Sequence, residues 1–149
     1  MEIIEFFKSD NKDHWLGEIR RSDWKAAAFL ADLIENNLFY EKLGKGTLLL
    51  LTENEKLISF LTMTERDCID DKEKFPWIGF VYTFPEYRGR RCSGKLIDCC
   101  EKIAVKNNVP TLFICTDHIG LYEKYGFSYM ENRIDIYGTD SRVYLKHIT

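Results

Sequence analysis

The sequence has no long apolar run, little histidine, little proline and no strong excess of either charge sign. No stretch of its 149 residues approaches the roughly 20 consecutive apolar positions needed to cross a bilayer, so no membrane helix is expected. The three histidines, His14, His118 and His147, form no H-x-x-x-H or H-E pair, and no metal site is expected from them. The cysteines are Cys68, Cys92, Cys99, Cys100 and Cys115. That count is odd and shows no C-x-x-C spacing, which argues against a zinc ribbon or a dithiol redox motif and reads as reduced thiols in a cytoplasmic protein. A net charge of −3 lacks the broad basic face of a general nucleic-acid binder. The first residues, Met1-Glu2-Ile3-Ile4-Glu5, carry neither the basic start nor the apolar core of a secretory signal. There is no Gly-x-x-x-x-Gly-Lys-Ser/Thr loop and no obvious Mg²⁺-binding carboxylate pair, which ranks nucleotide phosphotransfer low.

What is present is an ordinary globular balance, 45% hydrophobic and 30% charged, over a length that suits one domain with a real core. Ile3 to Phe7 reads as a first strand, followed by a turn at Ser9 to Asp13 and a short helix from His14 to Ile19. Trp24, Ala27, Ala28, Ala31, Ile34 and Leu38 recur at three- and four-residue steps. That spacing predicts an amphipathic helix to about Tyr40, with Ser22 as its N-cap. Thr47 to Thr52 is a continuous apolar strand suited to burial on both faces, and Leu57 to Met63 returns after the polar turn Glu53-Asn54-Glu55-Lys56. A charged loop, Thr64 to Phe75, leads through Pro76 to a central strand, Trp77 to Thr83. The apolar spacing at Leu96, Ile97, Cys100, Ile103 and Ala104 predicts a helix that Asn107-Asn108 and Pro110 stop. A strand at Thr111 to Cys115, a short helix through Tyr122 to Tyr125 and a hairpin of Phe127 to Ile136 with Arg142 to His147 complete the order. Trp77 to Cys115 is a strand–helix–strand unit, so its two strands are expected to be parallel.

The stretch from Val81 through Lys95 concentrates the chemistry. An apolar strand runs into Pro85, then into a Gly-containing loop that opens a helix. Arg88, Arg90, Arg91 and Lys95 fall in that loop with no acidic residue between positions 88 and 95. Unpaired backbone N–H groups at a helix N-terminus favour anions, so these residues together read as a phosphate site.

Pro85-Glu86-Tyr87-Arg88-Gly89-Arg90-Arg91-Cys92-Ser93-Gly94 resembles the acetyl-CoA pyrophosphate loop of the GCN5-related N-acetyltransferase (GNAT) family. Leu121-Tyr122-Glu123-Lys124-Tyr125-Gly126-Phe127 resembles that family's downstream Leu-Tyr…Gly-Phe signature, and the element order matches along the chain. The resemblance implies an α/β acyl-CoA N-acyltransferase fold, a mixed and mostly antiparallel twisted sheet with helices on both faces. It implies acetyl-CoA as cosubstrate and a small-molecule or peptide amine as acceptor, attacked directly within a ternary complex. The acceptor stays open between a polyamine-like or antibiotic amine, an amino acid and a protein N-terminus, with the acidic loop favouring a cationic small molecule. A homodimer is common among such proteins. A non-catalytic CoA-binding sensor on the same fold is the alternative.

By the same resemblance Arg88, Gly89, Arg90, Arg91, Cys92, Ser93, Gly94 and Lys95 hold the cofactor's pyrophosphate. The backbone of Val81, Tyr82 and Thr83 holds its pantetheine arm and polarises the thioester carbonyl. Tyr122, also at the cofactor, protonates the departing thiolate; an ordinary phenol, of pKa about 10, carries its proton at pH 7. The loop departs from the family pattern Arg/Gln-x-x-Gly-x-Gly/Ala, because Arg91 and Ser93 stand where small residues are usual. An attacking amine of pKa near 10.4 is mostly protonated at pH 7, so a base helps, and Glu65 and Asp67 at the opening of the charged loop are the candidates.

Overall fold

The computed structural model describes residues 1–148. Seven strands form one sheet in the order β1-β2-β3-β4-β5-β7-β6. They are β1 (Glu2–Glu5), β2 (Gly46–Glu53), β3 (Lys56–Thr64), β4 (Trp77–Thr83), β5 (Thr111–Thr116), β6 (Ser128–Ile134) and β7 (Asp140–His147). The helices are α1 (Lys12–Arg21), α2 (Lys25–Glu35), α3 (Phe39–Leu43) and α4 (Cys92–Lys106), with short 3-10 turns at Phe6–Lys8, Pro85–Tyr87 and Tyr122–Tyr125. All strand pairs are antiparallel except β4 with β5, which are parallel as the strand–helix–strand order requires.

The apolar run of β2 shows why helices cover both faces. Leu48 and Leu50 point to the front, into a core with Trp15, Ile19, Leu30 and Phe39 from α1, α2 and α3. Leu49 and Leu51 point to the back, against Leu96, Ile97, Cys100 and Ala104 of α4. All eight of the front and back strand and α4 positions just named are essentially buried, as a two-sided strand demands. Farther along the front face the charged loop takes over from the helices. Its Ile69 is buried with Trp77 and Val143, so this loop is partly a cover for the sheet. Trp77 is wholly buried and donates its indole N–H to Lys74 O at 2.7 Å, which makes it core.

The local expectations need four corrections. The first strand ends at Glu5, and Phe6 to Lys8 turn so that Phe6 enters the front core. Ser22 does not cap α2. Its hydroxyl donates to Ile19 O at 2.6 Å, the same carbonyl that accepts its backbone N–H at 3.2 Å, and so closes α1, while Trp24 stands at the α2 N-cap. The helix expected to reach Tyr40 is two helices. Asn37 takes a left-handed φ of +58° and Leu38 N–H bonds Leu33 O, so α2 stops and α3 restarts at Phe39; asparagine tolerates that conformation better than most residues. The helix expected from Leu96 starts four residues earlier, at Cys92, because Cys92 and Gly94 already bury themselves in its first turn.

Candidate active site

β4 and β5 pair only at Trp77 with Phe113 and Ile78 with Ile114; beyond them the two strands part. A bulge in β4 accompanies the splay. Thr62 of β3 opposes Gly79 and Phe60 opposes Tyr82, so two residues of β4, Phe80 and Val81, face one of β3. Phe80 takes a φ of +49°, a left-handed conformation that costs a side-chain-bearing residue about 1–2 kcal/mol. Ser59 clamps the far side, donating to Tyr82 O at 2.7 Å and meeting Thr83 Oγ1 at 2.9 Å. Phe84 N–H bonds Ile58 O on β3. Alternation along the strand therefore turns the N–H groups of Val81 and Thr83 the other way, into the gap left by β5.

That gap is the mouth of a cleft of about 620 Å³, within the usual range for a small-molecule site. Val81, Tyr82 and Thr83 form one wall, Gly89, Arg91, Cys92 and Ser93 a second, and Tyr122 and Tyr125 a third. At the second wall α4 begins with Arg91 as N-cap, in left-handed conformation (φ +56°) and with no side-chain cap. The first backbone bond into the helix is Lys95 N–H to Arg91 O, so the amides of Cys92, Ser93 and Gly94 remain open. The first turn carries no acidic residue. Three open amides at the positive end of a fifteen-residue helix, with Arg91 beside them, fit a pyrophosphate. The Arg91 guanidinium lies over the Tyr125 ring, 5.0 Å from its centroid, which is how a large residue is accommodated at this position.

The other loop residues are placed as follows. Arg88 lines the cleft but donates Nε–H to Thr83 O at 2.9 Å, bracing the turn. Gly89 lines it with a φ of +82°, where a side chain would be strained. Cys92 is buried, its thiol toward Tyr87 O at 3.6 Å. Arg90 and Lys95 lie outside the lining, Arg90 over the Tyr87 ring and Lys95 toward Met1 Sδ. Gly94 is buried rather than at the mouth, and a Cβ there would meet Tyr125 Cε1 at 2.7 Å. Gly94→Ala is therefore expected to push the Tyr122–Tyr125 turn outward, costing about 1–3 kcal/mol. Thermal unfolding and kcat measured on the same sample check this, and both are expected to fall.

Tyr122 stands between the two halves of the cleft, 4% exposed and packed edge-on against Tyr125 and Phe127. Burial, and then the neighbouring Tyr125, hold its phenol well above the ordinary range, so it keeps its proton at every working pH. Gly126, with φ +90°, ends the turn and sends Phe127 back into the core. Behind it Tyr144, wholly buried, donates from its hydroxyl toward His118 O and Glu123 Oε2 and accepts from Arg142 Nε, fixing the turn to β7.

The two candidate bases differ. Glu65 is exposed, and its carboxylate accepts the Lys45 N–H at 3.1 Å, which ties the charged loop to the end of α3. Asp67 is half-buried on the front face; a Cβ on Gly79 would lie 2.3 Å from its Oδ1, so the carboxylate sits directly over β4 where only glycine leaves room. Burial pushes its pKa up to about 6, opposed by hydrogen bonds from the Cys68 amide and thiol. Neither residue lines the cleft itself. Trp24, Tyr87, Leu121, Lys124 and Tyr125 do, and the sequence reading gave them no site role; nor did it give one to His118, which is exposed and also lines the cleft. Tyr87, Leu121, Lys124 and Tyr125 had a local signal, their place within the two motifs, whereas Trp24 had none.

The Acetyltransferase (GNAT) family model matches residues 10–127. The chain belongs to this family. A comparison with curated protein sequences finds no match. Among solved structures, an aminoglycoside 6'-N-acetyltransferase from Enterococcus faecium superposes with a TM-score of 0.73 at 14% identity, over 100% of this chain and 98% of that one. An aminoglycoside 6'-N-acetyltransferase complexed with coenzyme A gives 0.71 at 14% identity, over 100% and 98%. An acetyltransferase from Streptococcus agalactiae gives 0.68 at 24% identity, over 98% and 97%. This GNAT protein has the family's sheet and helix order; of its structural neighbours, one is complexed with coenzyme A and a streptothricin acetyltransferase-like structure with acetyl coenzyme A. Among the described residues no helix is long and apolar enough to cross a membrane, and no cluster of three or more metal-ligating side chains occurs.

Proposed function

We propose that this acetyltransferase transfers the acetyl group of acetyl-CoA to a primary amine by direct attack, with donor and acceptor bound together from opposite sides of β4. The observation that carries this reading is the splay beyond Ile78 and Ile114, which opens two strand amides toward Tyr122 beside three open amides of α4. Acetyl-CoA supplies the activated acyl group as a thioester. The α4 amides and Arg91 take the pyrophosphate. The N–H groups of Val81 and Thr83 orient the thioester and stabilise the charge that grows on its oxygen. As the new C–N bond forms and the C–S bond breaks, Tyr122 gives its proton to the leaving sulfur. The primary ammonium loses two protons on the way to the amide: the first goes to Asp67 before attack, directly or through one water, and the second leaves the nitrogen after the C–N bond forms and restores Tyr122; Gly79 under Asp67 is two residues, about 7 Å of strand, from Val81. Glu65 is assigned to bracing the loop, because its carboxylate is already engaged by the Lys45 amide.

Calorimetric titration with acetyl-CoA, with ATP and NADH as comparators, tests the donor half. Selective micromolar binding of acetyl-CoA is the expected result. A folded protein that prefers ATP or NADH, or binds none of the three, overturns the reading.

A further inference from the structure

The charged loop presents less open acidic surface than its composition suggests. Asp71 pairs with Lys74 and Arg133, each at 3.0 Å. Arg66 donates to the carbonyls of Glu41 and Lys42, and Glu65 caps Lys45. On the neighbouring hairpin Asp135 accepts from the Tyr137 and Thr139 amides and from Ser141 Oγ. Asp67 differs from these: among the described residues no lysine, arginine or histidine lies within 4.0 Å of its carboxylate. It is thus a carboxylate held against the sheet without a counter-ion.

Beside it on the same front face runs an aromatic wall. The bulge turns Phe80, the residue after Gly79, onto the ring of Phe29, with centroids 6.4 Å apart and planes 25° apart. Tyr82 stacks on Trp24, 5.4 Å apart and 17° from parallel. Trp24, Phe80 and Tyr82 are only half-buried, and Phe29 is 45% exposed although it projects from a helix that packs on the sheet. Apolar rings left open beside a catalytic cleft lose the stabilisation that burial would give them, unless something apolar covers them.

We infer that the acceptor is a small molecule with a single primary ammonium on a flat, apolar body, an arylalkylamine by class, seated with its body on Phe29, Phe80, Trp24 and Tyr82 and its ammonium at Asp67. The juxtaposition matches one charge to one unpaired carboxylate and an aromatic surface to an aromatic surface. A polyamine or an aminoglycoside brings several ammonium groups, whereas Asp71, Glu65 and Asp135 are already engaged and Asp70 and Glu73, without an ion pair among the described residues, lie exposed to solvent. Desolvating those extra cations without partners is unfavourable. The inference rests on the acetyl-transfer reading above and narrows its acceptor.

The test is thiol release from acetyl-CoA with four amines, 2-phenylethylamine, tryptamine, spermidine and kanamycin, on the parent protein and on Phe29→Ala, alongside calorimetry with acetyl-CoA. Phe29 is surface-exposed, so its variant is expected to fold. The expected result is kcat/KM at least about tenfold higher for the two arylalkylamines than for the polycations. In Phe29→Ala, KM for tryptamine rises about tenfold while kcat and the KM for acetyl-CoA stay within twofold. Preference for spermidine or kanamycin, or an unchanged tryptamine KM in Phe29→Ala, overturns the inference. If acetyl-CoA binds but no amine in the panel is turned over, the acceptor assignment falls and the donor cleft stands. If acetyl-CoA does not bind, both fall.

Discussion

Tyr122→Phe is expected to lower kcat by about 10²- to 10³-fold while the affinity for acetyl-CoA stays within about threefold. The substitution removes one oxygen and keeps the ring that packs on Tyr125 and Phe127, so the fold has no reason to change. The ground state loses little, since the phenol is needed only when negative charge gathers on the leaving sulfur. A thiolate conjugate to a thiol of pKa about 8.5 can leave unprotonated, which limits the loss and keeps it below the upper range for general acids. The phenol's raised pKa also means that no limb of the pH–rate profile below pH 10 belongs to Tyr122. Pre-steady-state acetyl transfer is the measurement of choice, because it separates the chemical step from product release. Parent-like single-turnover rates in Tyr122→Phe would remove this residue from the proton path.

Asp67→Asn is expected to trade activity for stability, and both halves can be read on one protein. The folded carboxyl titrates at about 6 against 3.8 for an unperturbed group, with desolvation by burial as the main cause. The sign follows from where protons are held. Between about pH 4 and pH 6 the native state keeps a proton that the unfolded chain has released, so stability falls as pH rises through that window and stays low above it. Holding the charge at neutral pH costs about 2–3 kcal/mol. Asparagine keeps the shape without the charge, so Asp67→Asn should melt several degrees higher than the parent at pH 8 and nearly level with it at pH 4. Activity moves the other way. Parent kcat/KM is expected to drop below about pH 6 as Asp67 takes up its proton, and the variant to lose about 10²-fold at pH 8 along with that acidic limb. The Cys68 thiol beside Asp67 does not mimic this limb, because its hydrogen bond to Cys115, and then burial, push it far above its ordinary value; the same bond lowers Cys115. A variant less stable than the parent at pH 8 would show that Asp67 is held by contacts rather than kept for its charge.

The fold was readable because its signals are local. The continuous apolar run from Thr47 to Thr52, the switch to helical spacing at Leu96 and the stops at Asn107 and Pro110 each depend on neighbours within a turn or two. The errors fell where a distant or alternative partner decided. Ser22 could cap the helix ahead or close the one behind, and the nearer carbonyl of Ile19 took its hydroxyl. Asn37 was unremarkable in a periodic pattern until its left-handed turn split the helix.

The site divides in the same way. The elements of the proposed donor site could be located from sequence, because a strand-to-helix turn with open amides and a tyrosine before Gly-Phe are contiguous features. The acidic loop misled as a composition: seen folded, Glu65, Arg66, Asp71 and Lys74 answer a neighbour or the backbone, Asp70 and Glu73 stay exposed, and Asp67 is held against the sheet without a counter-ion because Gly79 leaves a niche for it. Trp24 and Phe29 come from a helix some fifty residues before Phe80 and Tyr82, and no local pattern joins them. Chain order is thus enough to locate the proposed donor half, whose amides belong to one continuous segment and whose tyrosine lies in a short local motif. The proposed acceptor half is assembled by packing α2 and the loop after β3 against a bulged strand, so its groups come together only once those segments meet.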